Sequence, residues 1–116
     1  MSRDVRDGIF IICSSLFHDS IKTIAAVSIE KRIPLMGCRA SDVKDNGALV
    51  SYESDTYRLG HRGAWYVDRI LKGKKPEDLP VELPAYFELV INLKTANQIG
   101  LAIPPNVLAR ADRVIR

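Results

Sequence analysis

The chain has 116 residues, a formal net charge of +3 and 47% hydrophobic residues. That gives room for one domain with one core, of ordinary globular composition. Its Lys and Arg alternate with Asp and Glu, as in "KGKKPED" and "ARADRVIR"; the absence of a basic stripe with interleaved aromatics argues against a nucleic-acid partner.

Residues 8–13, "GIFIIC", form an apolar run of strand length, suited to a strand buried on both faces of a parallel sheet. Asp19 is placed to cap the helix that follows. Ile21, Ile24, Ala25, Ser28 and Ile29 recur there at helical spacing, and Lys31 and Arg32 fill its last turn. Pro34 forbids continuation, and "IPLMGC" at 33–38 reads as a second strand. The unit 8–38 is therefore β-α-β, a parallel crossover. "DNG" at 45–47 is a turn signal and "ALVSY" at 48–52 a third strand. Ser54 or Asp55 caps the next helix, whose stripe of Leu59, Gly63, Tyr66, Val67, Ile70 and Leu71 is expected to be buried, ending at Gly73.

Residues 73–84 contain three prolines and no periodicity, the pattern of an extended connector that crosses from one place to another. "AYFELVINLKTANQIG" at 85–100 starts as a strand, with Phe87, Leu89, Ile91 and Leu93 on one face and Glu88, Val90 and Asn92 on the other, and becomes a short helix stopping at Gly100. A last helix is expected from Pro105, with Val107, Leu108, Ala111, Val114 and Ile115 as its apolar face. The expected fold is α/β: a mainly parallel sheet flanked by helices, in the order β-α-β-β-α-β-α-α.

Ligands of open parallel sheets bind beyond the carboxyl ends of the strands. That rule selects Cys13, Ser14 and Ser15 after the first strand, Gly37, Cys38 and Arg39 after the second, and Ser51, Tyr52 and Asp55 after the third. Hydroxyls, helix starts and an aromatic are what a small polar ligand needs, so Ser14, Ser15, Arg39, Ser51, Tyr52 and Asp55 are the candidate ligand-binding residues. The plainer readings are loop serines that satisfy backbone, an aromatic with its hydroxyl at the surface, and a solvated arginine. No phosphate loop, dinucleotide fingerprint or nucleophile elbow is present, and His18 and His61 fall in no triad or metal motif. Cys13 and Cys38 read as two buried thiols packed as small apolar groups; a metal site with His18 lacks a fourth ligand. The expectation is a binding protein and not an enzyme, with no cofactor and no metal.

Residues 47–116 resemble the C-terminal end of ABC-transporter substrate-binding proteins, in the branch of tryptophan/tyrosine-type solute receptors. "YVDRILKG" (66–73), "DLPVE" (78–82), "FELVINLKTA" (87–96) and "RADRVI" (110–115) carry the resemblance in order and spacing, and "DGIFIICSS" and "IPLMG" fit more loosely. The resemblance implies the type I periplasmic-binding-protein fold, two α/β lobes about a cleft. Residues 1–54 would then be the second half of the C-terminal lobe and 55–73 a crossover helix matching the N-terminal lobe. Residues 74–84 would be a hinge connector, and 85–116 the return strand and terminal helices of the C-terminal lobe. It also implies capture of a small solute such as an amino acid, and delivery to an ABC permease. Ser14 and Ser15 stand where an acidic or amide residue often grips the ligand's ammonium group, and Glu53 where the family commonly has glycine.

Receptors of this kind work outside the cytoplasm, whereas the opening "MSRDVRDGIFIICSSLF" carries no export signal, so a genuine short protein of this sequence would stay in the cytoplasm. The alternative expectation is a truncated orphan domain that persists as a homo-oligomer, its 55–72 helix swapped between protomers.

Overall fold

The computed structural model describes residues 7–116; the charged opening at 1–6 lies outside the described residues. The chain forms two compact units. One is the described part of Met1–Glu53 together with Glu88–Arg116, and the other is Ser54–Phe87.

The first unit is an α/β layer. Strands β1 (Ile9–Phe10), β2 (Leu35–Gly37), β3 (Val50–Ser54), β4 (Phe87–Asn92) and β5 (Arg113–Ile115) stand in the sheet in sequence order. β1–β2, β2–β3 and β4–β5 are parallel pairs, with Ile9 opposite Leu35, Gly37 opposite Ser51, and Ile91 opposite Val114. The crossover after β1 is helix α1 (Ser15–Lys31). It buries Ile21, Ala25 and Ser28 against a core of Ile11, Leu35, Val43, Ala48 and Val90, on the stripe that the 3.6-residue period selects. A second cluster joins Leu49 to Ala96 and Ile99 of helix α4 (Leu93–Ile99).

Several element boundaries differ from the sequence reading. Helix α1 begins at Ser15, so its cap is Ser14, whose hydroxyl accepts from the Phe17 N–H at 3.5 Å, and not Asp19. A five-residue helix, α2 (Ala40–Lys44), follows β2, where the sequence showed no periodicity long enough to mark one. Of the two cap candidates before α3 (Thr56–Leu71), Asp55 takes the role and accepts from the Arg58 N–H at 3.0 Å.

The long C-terminal helix is replaced by a single turn, α5 (Pro105–Leu108), followed by β5. The cause is Asp112. Its N–H donates to Leu89 O at 2.9 Å and its carboxylate accepts from the Leu89 N–H at 2.8 Å. These bonds draw 113–115 onto the edge of β4, where the β-branched Val114 and Ile115 fit a strand better than a helix.

The second unit is α3, the 3-10 turn Pro76–Asp78 and the segment leading to Phe87. The predicted buried stripe of α3 is not buried: no residue of this helix is. A Cβ added at Gly60 or Gly63 would meet nothing within 4 Å.

Candidate functional site

The carboxyl ends of β1 and β2 are joined covalently. Cys13 and Cys38, 25 residues apart in sequence, form a disulfide with a Cα–Cα distance of 5.4 Å. This corrects the reading of two free buried thiols. Parallel pairing of β1 with β2 puts the residues that follow each strand side by side. The β-α-β pattern already carried that signal. Bonded to each other, neither sulfur is available as a nucleophile or metal ligand. Among the described residues no group of three His, Cys, Asp or Glu side chains is arranged to hold a metal ion.

Around the disulfide the chain uses its own carboxylates to hold the β2–α2 turn. Asp42 Oδ2 accepts from the Cys38 and Arg39 N–H groups, each at 2.9 Å, and Glu53 Oε1 accepts from the Ala40 N–H at 2.6 Å. Gly37 makes room for this arrangement, since a Cβ there would lie 2.7 Å from the Asp42 Cβ. The other Asp42 oxygen, Oδ1, is buried with no hydrogen-bond partner, and His18 Nδ1 stands 3.8 Å away. Ser14, Phe17, His18, Cys38, Arg39 and Asp42 border a void of about 10 Å³, the room of roughly one water.

The structure thus gathers Ser14, Ser15 and Arg39 beside the disulfide. Ser14 and Ser15 are exposed at the start of α1, and Arg39 is exposed at the start of α2. Ser51 lies one strand further, opposite Gly37, fully buried with its hydroxyl unpartnered. Tyr52 follows it and is 56% exposed. Asp55 belongs to the second unit, where it caps α3, pairs with Arg58 at 3.3 Å and donates its N–H to Tyr86 O.

Sequence reasoning did not select Asp42, and noted Glu53 only as a departure from the resembled family. An acidic side chain three residues after a turn residue, as Asp42 stands to Arg39, is the legible signal for the first of these.

The second unit contains a groove of about 940 Å³ between α3 and the segment 76–86, lined by Trp65, Tyr66, Leu79, Val81, Pro84 and Tyr86 among others. Arg62 bonds Glu82 through Nε at 2.7 Å, lies 3.9 Å over the Trp65 ring, and with Tyr66, whose hydroxyl donates to Pro80 O, fastens the segment along the helix. The hydrogen bond between them raises Arg62 and lowers the Glu82 carboxyl from their ordinary values.

The polar edge can bind by hydrogen bonds and by one guanidinium charge.

The chain is 25% identical over 95 residues to a tyrosine-binding protein of Clostridioides difficile, covering 82% of this chain and 27% of that protein. It is similar to the crystal structure of a conserved domain protein from Vibrio cholerae, with 34% identity, a TM-score of 0.83, and coverage of 93% of this chain and 36% of that one. It is also similar to a Streptococcus pneumoniae ABC domain in complex with L-Trp, with 29% identity, a TM-score of 0.81, and coverage of 94% and 38%. The chain therefore spans between about a quarter and two fifths of the length of these relatives. The sequence model of the family described as ABC transporter substrate binding protein matches residues 1–115, and the chain belongs to that family.

Proposed function

We propose that this chain supplies part of an extracytoplasmic solute receptor of an ABC importer, and that the receptor binds an aromatic amino acid. The observation that carries the reading is the likeness, over 94% of this chain, to a domain holding L-Trp. The polar edge formed by Ser14, Ser15 and Arg39 supports it. The separate second unit, Ser54–Phe87, supports the assignment of the 55–73 helix to a lobe different from that of 1–54 and 85–116, with 74–84 as the hinge connector. The disulfide supports a location outside the cytoplasm, because such bonds persist in oxidising compartments. Delivery would be to a membrane permease that recognises the closed receptor.

A test that supplies both walls of a cleft is a chimera. The corresponding segment of the Streptococcus L-Trp-binding domain is replaced by this chain, and the product is titrated with the amino acids by calorimetry. We expect L-tryptophan or L-tyrosine to bind, and to stabilise the chimera by about 2.7 kcal/mol at a hundred times Kd. A folded chimera that binds no aromatic amino acid overturns the reading.

A second reading, an orphan domain that persists as a helix-swapped homo-oligomer, is favoured by one observation: the apolar groove of the second unit is open along a helix that buries nothing.

A further inference from the structure

We propose that the Cys13–Cys38 disulfide is a positioning element of the solute site, a reducible latch that fixes a soft strand end to a firm one. The proposal rests on the reading of Ser14, Ser15 and Arg39 as solute contacts.

The two ends that it joins are held very differently. The β2 end is firm: the Cys38 and Arg39 N–H groups are both fixed by the buried Asp42 carboxylate, and the neighbouring Ala40 N–H by Glu53. The β1 end is soft. Its ladder with β2 pairs only Ile9 and Phe10, followed by a bond from the Ile11 N–H to Met36 O at 3.2 Å. Ile11 is buried, but Phe10 and Ile12 on either side are 69% and 70% exposed, so they contribute little packing. Beyond the disulfide Ser14 is held by its helix alone, its hydroxyl accepting from the Phe17 N–H at a long 3.5 Å and its carbonyl from the His18 N–H at 3.1 Å. The cross-link therefore carries the order of the β2 turn over to residues 12–15, and sets Ser14 across the small void from Arg39.

The latch opens by thiol–disulfide exchange with a dithiol. One thiolate of the dithiol attacks Sγ of the exposed Cys13 and the S–S bond breaks. Cys38 leaves as a thiolate and takes up a proton. The second thiolate of the dithiol attacks the mixed disulfide, and Cys13 is released and protonated in turn. The dithiol ends as a disulfide, and its two electrons reside in the two thiols.

The test is amide hydrogen exchange on the whole chain by mass spectrometry, before and after reduction, with a Cys13→Ser/Cys38→Ser variant as a third sample. Peptide mapping without reductant should first show the two cysteine peptides linked. On reduction, exchange at 12–18 should rise about tenfold or more, while 38–44 and 93–99 keep their protection. The variant should match the reduced protein. Unlinked peptides, unchanged exchange at 12–18, or an equal rise at all three segments would each overturn the proposal. If the variant fails to fold, the reduced wild-type chain decides. The readout needs no solute, so a failure of the chimera to bind would leave this result standing.

Discussion

Asn92 shows how much a single side chain organises. It is buried at the end of β4. Its N–H donates to Leu49 O at 2.8 Å, its Oδ1 accepts from the Thr95 N–H at 3.0 Å to cap α4, and its Nδ2 donates to Val43 O at 3.1 Å. One residue thus ties β4 to the β3 side, to its own helix and to α2. Asn92→Ala removes the cap and leaves the buried Val43 carbonyl without this donor. Each loss costs about 1–2 kcal/mol, so we expect unfolding in urea to show a loss of about 2–4 kcal/mol. A loss well below 1 kcal/mol would mean that the site relaxes around the change. In the sequence Asn92 is only a polar residue on the face of an alternating strand that it shares with Glu88 and Val90. In the structure Val90, Ile91 and Asn92 are all buried. Alternation describes a sheet with one wet face, whereas here Val90 packs in the core with Ile21 and Ala25 of α1 and Asn92 bonds to α2 and α4. The cysteines follow the same logic: their pairing is set by the β-α-β unit, which brings the ends of β1 and β2 together, and not by anything local to either residue.

At the scale of elements, α3 and its connector were legible as elements and illegible as packing. The apolar stripe is present, yet Val67 and Leu71 are 56% and 81% exposed. A stripe in a sequence says that a helix has a face to cover, and is silent on what covers it. The connector has one 3-10 turn and no helix or strand beyond it, and it is fastened to the helix through Arg62, Glu82 and Tyr66. That fastening should be sensitive to pH. The Glu82 carboxyl is lowered, chiefly by its hydrogen bond from Arg62. A depressed carboxylate stabilises the folded form above its ordinary pKa, and the contribution is lost as pH falls through the lowered value. Arg62 also lies over Trp65, the single tryptophan. Tryptophan fluorescence should therefore be flat at neutral pH and change as pH drops below the ordinary carboxylate range. The change should be absent in Glu82→Gln and weaker in high salt, because the pair is exposed. A transition that persists in Glu82→Gln would assign it to another group. The short elements were the hardest to read. Helix α2 is held by Asp42 and Glu53, and β5 by the edge of β4, so partners distant in sequence decide both and local periodicity does not.

For the whole molecule, the open question is what covers its apolar surface. In the second unit the apolar groove is lined by Val81 and Leu83, each more than three-quarters exposed, together with Leu59, Trp65, Ile70 and Leu79. Scattered apolar residues need no explanation, but a contiguous face of this kind marks an interaction surface. Two occupants fit: the further receptor lobe of the function proposed above, or a second copy of the chain. They differ in what the isolated chain does. A second copy gives a closed, self-complementary contact and a defined mass, and the connector at 74–84 is long enough to let α3 exchange between protomers. We expect light scattering on a size-exclusion column at micromolar concentration to show a dimer or a higher closed species. Replacing Val81 and Leu83 by Glu on the connector should return it to monomer, since two carboxylates cannot enter an apolar contact without a large desolvation cost. A stable wild-type monomer would eliminate the homo-oligomer, leaving the apolar face to a lobe of the same receptor. A dimer unaffected by the two glutamates would move the contact elsewhere, with the exposed Phe10 and Ile12 of the first unit as the next face to change.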